Sequence, residues 1–317
     1  MTIRWVKKFN KATLSLMLMC AITAAAADPI DEALAAAQRG DYRTALQIVE
    51  PLAERGDPGA QYMLGVIHSN GHGVPKNFFE AANWYRKASE QGSGLAMFNL
   101  GMLYERGQGV PQDFKQAFHW YVKAAEQGEA VAQVNIGILY VNGLGVTQDF
   151  KQAIKWFRNA ADQGEDSAMH NLGVMYANGQ GVEQDFRKAA EFFRSAAELG
   201  NSESQNALGI CYRDGKGVVQ DYSAAVHWFR KAAEKGDGNA QHHLGFMYVK
   251  GLGVPRNPVL AYVLFNLAAI GGDEKTTHNR DLVIKEMTPE QINEGQALAR
   301  SWTVGQPLPT KTTSFHQ

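Results

Sequence analysis

The chain is poor in cysteine: its 317 residues hold two, Cys20 and Cys211. It has no excess of one charge, with 31 Lys and Arg against 32 Asp and Glu and a formal net charge of −1. That balance excludes a strongly basic nucleic-acid binder. Long hydrophobic runs are missing as well. The N-terminal apolar stretch, Leu14 to Ala27, is 14 residues, short of the roughly 20 a membrane-spanning helix needs, so a polytopic membrane protein is excluded. What is present is a globular composition, 45% hydrophobic and 20% charged, with ample apolar surface for a core and unlike that of a disordered chain. By length alone it would make about two domains; the repeats described below overrule that.

The N-terminus stands apart. Arg4, Lys7, Lys8 and Lys11 precede the apolar stretch, which ends in Ala24-Ala25-Ala26-Ala27 before Asp28-Pro29. A basic start, a short apolar segment and small residues at an A-x-A site predict a secretory signal peptide over 1–27, cut after Ala27. The alternatives are an uncleaved anchor, for which the run is short, and a lipid-modified Cys20, for which Met19 is larger than the small residue usual before such a cysteine. Cleavage removes four basic and no acidic residues, leaving 27 against 32 and a net charge of −5. No electrostatic reason then remains to expect nucleic acid or an anionic membrane surface as a partner. Membrane insertion after cleavage is not expected either. Cys20 departs with the signal, so the remaining chain cannot form an internal disulfide. Cys211, next to Tyr212 in a helical pattern, reads as a buried thiol rather than a reactive one.

A repeat dominates the rest. Gly65, Gly101, Gly137, Gly173, Gly209 and Gly245 are each 36 residues apart. The columns beginning at Gly71 and Gly73 keep the same step, and the three columns hold 18 of the 32 glycines. A fixed period of this size marks a solenoid. Within the second unit, Ala96, Leu100 and Tyr104 form an apolar stripe on a first helix, here helix A. Gly107-Gln108-Gly109-Val110-Pro111 breaks the chain. Asp113 then suits the N-cap of helix B, whose apolar face is Phe114, Ala117, Phe118, Tyr121, Ala124 and Ala125. Gly128 suits the left-handed position past its end. Asp149, Asp185 and Asp221 repeat the cap, with Asn77 and Asn257 in its place at either end. Trp84, Trp120, Trp156, Phe192 and Trp228 form an aromatic column on helix B, and Trp120 is assigned to the packing face.

The phrases Leu100-Gly101-Met102-Leu103-Tyr104, Gly107-Gln108-Gly109-Val110 and Trp120-Tyr121-Val122-Lys123-Ala124-Ala125-Glu126-Gln127-Gly128 resemble the Sel-one-like repeat (SLR) family, a branch of the tetratricopeptide-repeat superfamily. The resemblance implies an all-α, right-handed α-solenoid of stacked antiparallel helix pairs with a 36-residue period. It also implies an adaptor role, with exported bacterial members tied to envelope complexes, signalling or host contact. The expected organisation is an N-terminal capping helix pair over 28–56, six repeats over 57–272, capping helices over 273–302 and a flexible tail over 303–317. The capping helices are expected at Asp281 to Met287 and Pro289 to Trp302. Leu282, Ile284, Ile292, Leu298 and Trp302 would cover the last repeat, as a terminal unit must.

The Gly-x-Gly pairs are no phosphate loop, since a helix precedes them, no strand signal appears, and they recur six times. The histidines do not converge with other ligands in the manner of a zinc site. No nucleophile-elbow motif is present. Catalytic residues, metal and cofactor are therefore all expected to be none, and the chain is expected not to be an enzyme. An enzyme acting on cell wall or β-lactams is the remote alternative, because a cysteine-rich branch of the family is linked to penicillin binding. That branch has paired cysteines that this sequence lacks.

A binding surface is the stronger expectation. Residues three before and one and four after each repeat glycine lie away from the Leu100 and Tyr104 stripe, and the resemblance places them on a concave face. The first column is Tyr62, Phe98, Val134, His170, Asn206 and His242. The second includes Met102 and Ile138, which with Phe98 would make an apolar floor. Glu105, Arg106, Arg213, Asp214 and Lys250 would rim it. The partner expected there is a protein or peptide. The location expected is periplasmic, with secretion toward a host or neighbouring cell as the alternative. A buried packing role is the competing reading of both columns.

Overall fold

The computed structural model describes residues 28–271 and 274–310. The expected signal peptide and the last seven residues of the expected tail lie outside them. Among the described residues there are sixteen α-helices and no strand. They are α1 (Pro29–Gln38), α2 (Tyr42–Glu54), α3 (Pro58–Asn70), α4 (Phe78–Glu90), α5 (Gly94–Arg106), α6 (Phe114–Glu126), α7 (Ala130–Asn142) and α8 (Phe150–Asp162). There follow α9 (Asp166–Asn178), α10 (Phe186–Glu198), α11 (Ser202–Asp214), α12 (Tyr222–Glu234), α13 (Gly238–Lys250), α14 (Pro258–Ala268), α15 (Glu274–Ile284) and α16 (Pro289–Ser301). Odd-numbered helices from α3 to α13 are the A helices, and each packs on the B helix that follows it. The described chain forms two compact units, 28–163 and 164–310. Within each unit, B helices also pack on the next A helix.

Local chemistry explains why the period holds. Asp113 accepts from the backbone N–H groups of Lys115 and Gln116 at 2.8 and 3.1 Å. Asp149, Asp185, Asp221, Asn77 and Asn257 cap their helices in the same manner. A helix leaves its first N–H groups without partners, and a short side-chain acceptor satisfies them. Two glycines show why their columns tolerate nothing else. A Cβ on Gly101 would stand 2.8 Å from the Tyr121 ring, so helices A and B could not close. Gly109 has φ +71°, and a Cβ there would meet the Phe78 carbonyl of the preceding B helix at 2.2 Å.

The deepest aromatic column lies one residue beyond the expected tryptophans. Tyr85, Tyr121, Phe157, Phe193, Phe229 and Phe265 are the largest fully buried side chains. Trp84, Trp120, Trp156, Phe192 and Trp228 are only half-buried, with Lys87, Lys123 and Lys231 over three of the indoles. Trp120 thus stands at the edge of the packing rather than at its centre. The residue opposite the repeat glycine has to be the ring that fills the glycine's gap, and that residue is Tyr121.

Polar clips between repeats were not foreseen. Arg86, Arg194 and Arg230 on B helices donate to Tyr104, Tyr212 and Tyr248 on the next A helices, at 3.4, 2.9 and 2.6 Å. Within single repeats, Gln112, Gln148, Gln184 and Gln220 donate to carbonyls seven residues back, at 2.7 to 2.8 Å. These bonds satisfy acceptors at the ends of the A helices.

The C-terminal cap differs from expectation. Helix α15 starts at Glu274, not Asp281, and ends at Ile284. Its early turns are too polar to show an apolar stripe. It buries Thr276 and Val283, and Val283 is its buried apolar residue, at 5% exposure, whereas Leu282 is 45% exposed. Ile284, Leu298 and Trp302 do pack on the last repeats. Residues 303–310, expected to fray, are seated instead. Gly305 N–H donates to the Glu234 carbonyl at 2.8 Å, and Leu308 N–H donates to Glu234 Oε1 at 3.1 Å. Leu308 itself is buried.

Candidate partner-binding surface

The A helices carry the residues singled out for recognition, and each unit is described separately. In 28–163, Tyr62, Phe98 and Met102 are half-buried. The Tyr62 and Phe98 rings lie tilted against the buried Tyr85 and Tyr121 rings at 6.0 and 5.7 Å. Burial raises the Tyr62 hydroxyl pKa, and Asn99 opposes the shift by hydrogen bonding. Glu105 is not a free rim charge. Its carboxylate accepts the Tyr121 hydroxyl at 2.5 Å, and burial raises its pKa despite that bond and the neighbouring Arg106. Arg106 is exposed. Val134 and Ile138 are fully buried, so the apolar floor drawn through Phe98, Met102 and Ile138 loses its third member. Helix α7 reads AVAQVNIGILYVN and buries nine of its residues. A helix apolar nearly all round leaves no exposed face.

In 164–310, His170 is buried, and Asn206 and His242 are half-buried. His170 Nδ1 lies 2.8 Å from Ser204 Oγ, and His242 Nδ1 lies 2.7 Å from Thr276 Oγ1. The same contact therefore recurs two repeats later. Glu203 Oε2 stands 3.7 Å from His170 Nε2. A hydroxyl, an imidazole and a carboxylate in line have the order of a hydrolase triad, but Ser204 is 0% exposed and offers no substrate an approach. The contact pins neighbouring A helices. Arg213 holds Asp214 at 2.7 Å and reaches His243 Nδ1 at 3.2 Å, while Lys250 lies 5.9 Å from the Phe246 ring centre. Phe246 is 36% exposed. It was legible as a member of the Met102 column, and its exposure was not.

Other chemistry is sparse. Among the described residues no three His, Cys, Asp or Glu side chains come together as a metal site. No described helix is long and apolar enough to cross a membrane. Cys211 is buried, and burial pushes its thiol pKa up to about 11, where the nucleophilic thiolate is scarce.

The helix pairs, their spacing and their glycine-aromatic contacts define an SLR-type α-solenoid. The Sel1 repeat model matches residues 58–93, 94–129, 130–165, 166–201, 202–237 and 238–273, and the chain belongs to that family. Its members form a scaffold fold that commonly mediates protein–protein interaction. Among solved structures, the chain is similar to c5321, a protective antigen of uropathogenic Escherichia coli with an SLR fold. Identity is 37% over 80% of this chain, with a TM-score of 0.70, and the match spans 56% of the antigen's length. It is also similar to a Sel1 repeat protein from Oxalobacter formigenes. There identity is 34% over 77% of this chain and 97% of that one, with a TM-score of 0.71. No curated protein matches the chain.

Proposed function

We propose that the chain is an exported, non-catalytic scaffold of a bacterial envelope that holds a protein or peptide partner on its A-helix surfaces. One observation carries the reading: apolar side chains stay accessible beside charged ones on A helices whose backbones are already fixed by packing. In 28–163 these are Phe98 and Met102 with Arg106. In 164–310 they are Phe246 with Lys250 and the Arg213–Asp214 pair. Apolar anchors of this kind supply affinity, and rim charges set on-rate and selectivity. Val134, Ile138 and His170, being buried, serve the frame that presents them.

Crosslinking the exported protein in its own cell and capturing it tests the proposal. Met102→Glu and Phe246→Glu should each reduce the captured partner tenfold or more while leaving the melting temperature close to that of the parent. Unchanged capture with both would place the interaction elsewhere. The similarity to a protective antigen favours a second reading, in which the protein is exposed to a host. Fractionation separates the two: periplasmic protein supports the envelope scaffold, and protein in the medium or on the cell surface supports the second reading.

A further inference from the structure

The junction of the first and second repeats carries an open cleft of about 450 Å³ on its B-helix side, apart from the A-helix surface. Ser89 and Glu90 enter it from the end of α4, Met97 from the first turn of α5, and Trp120, Lys123 and Glu126 from α6. Two buried polar atoms at this cleft have no hydrogen-bond partner, the Oγ of Ser89 and the Nε1 of Trp120. Ser89 is only 3% exposed. A buried donor without an acceptor is destabilising, and native folds rarely keep one without a use.

The other repeats act as internal controls. Gln61, Gln205 and Gln241 stand where Met97 stands. Each donates to the carbonyl eight residues back, on Ala53, Ala197 and Ala233, at 3.2, 3.0 and 3.2 Å. Gln61 and Gln133 also accept from Gln91 and Gln163 at 2.8 and 3.0 Å. Met97 can do neither, so the Ser89 carbonyl and the Gln127 amide, which occupy the corresponding positions, lose those partners. The other methionine of this column, Met169, has Ala161, Phe192 and Leu199 at the positions of Ser89, Trp120 and Gln127. There the sequence supplies no side-chain polar group to satisfy. The first junction alone combines the methionine with polar neighbours.

The cleft's chemistry selects the occupant. Lys123 Nζ lies 5.0 Å from the Trp120 ring centre and covers the face on which a sugar would stack. The indole is left to act through its N–H, which calls for an acceptor such as a peptide carbonyl. Glu90 and Glu126 are exposed at the C-terminal ends of α4 and α6, where the helix dipoles are also negative. That rim draws a basic side chain.

We propose that this cleft docks an extended peptide segment with a basic residue beside an apolar one. Docking turns the half-buried Trp120 side chain outward, so that the peptide's backbone carbonyl accepts from Trp120 Nε1–H and Ser89 O–H; its apolar side chain rests on Met97, and its basic side chain meets Glu90 and Glu126.

The test uses the full chain and short Gly/Ala-based peptides with a central Arg-Leu, Glu-Leu or Arg-Ser pair, with binding read by calorimetry. The Arg-Leu peptide should bind at least tenfold more tightly than the other two. Ser89→Ala and Trp120→Phe install the residues found at 161 and 192, and Met97→Gln installs the commoner residue of its column. Each should weaken Arg-Leu binding at least tenfold without lowering the melting temperature. Met102→Glu should leave it unchanged. Absence of binding by every peptide overturns the proposal. So does Arg-Leu binding by the three variants as tight as the parent's, and so does a raised melting temperature with unaltered binding, which would mean unpaired atoms only. Chitotetraose binding that Trp120→Phe abolishes, with no peptide bound, overturns it in favour of a sugar. Weakening by Met102→Glu alone sinks this cleft while leaving the A-helix reading intact.

Discussion

Gly101 and Tyr121 are complementary: the missing side chain of one is the space the other's ring fills. A methyl at Gly101 would approach the ring to 2.8 Å. Alanine favours a helix interior over glycine by about 1 kcal/mol, but overpacking a closed core costs about 1–3 kcal/mol. Gly101→Ala should therefore destabilise the protein, by up to about 2 kcal/mol, read as a lowered urea midpoint with unchanged slope. A rise in the midpoint would mean that the ring can move aside. Two histidines, the buried His170 and the half-buried His243, make a second prediction at this scale. Burial, reinforced by Arg213 and His242, lowers the His243 pKa to about 4, and burial lowers that of His170 to about 4. An unfolded histidine titrates near 6.5. Between these values the unfolded chain binds protons that the folded chain refuses. Stability is therefore complete above about pH 6.5 and falls as pH drops toward 4, by up to about 3 kcal/mol for each histidine. Urea titrations at neutral and mildly acidic pH should show a smaller acid loss in His243→Gln than in the parent. An identical loss would rule out His243 as a source.

Between a residue and its helix, one step of register decides which aromatic side chain forms the core. Trp120 and Tyr121 are neighbours, and both recur every 36 residues as aromatics. Periodicity alone could not say which of them faces Gly101. Tyr121→Ala should cost about 3–5 kcal/mol, as loss of a fully buried ring does. Trp120→Ala, from a half-buried site, should cost roughly half as much. Equal losses by chemical denaturation would return Trp120 to the centre of the packing. The same limit explains what was and was not legible before the structure. Asp113 and Gly109 each answer a demand that few residue types can meet, an orphan N–H at a helix start and a backbone contact at positive φ, so they are visible as fixed columns. The A-helix surface answers no such demand. Phe98 is half-buried and Ile138 is buried, although both are apolar at equivalent helical faces, because burial there depends on what packs across the helix. The polar opening turns of α15 carried no apolar stripe, and its start was accordingly read seven residues late.

At the scale of the whole molecule, a repeat array has an end to protect. Helix α14 buries ten of its eleven residues, far more than a surface helix with one apolar stripe. Its cover comes from α15, α16 and the stretch 303–310, through Val283, Ala299 and Leu308. In a linear array each repeat is stabilised mainly by its neighbours, so damage at one end should stay near that end. Cutting the chain after Gly272 removes all three covering segments and should expose the core of α13 and α14. Amide exchange in those two helices should then accelerate at least tenfold, toward the rates of locally opened structure. Amides of α3 to α6 should keep the exchange rates they have in the parent. Leu308→Asp, which buries an unpaired charge while leaving α15 and α16 in the chain, should give the same pattern in weaker form. Equal acceleration in every helix would show that the array opens as one cooperative body. No acceleration anywhere would show that α14 is held by its contacts with α13 alone, and that the seated C-terminal stretch contributes nothing to the cap.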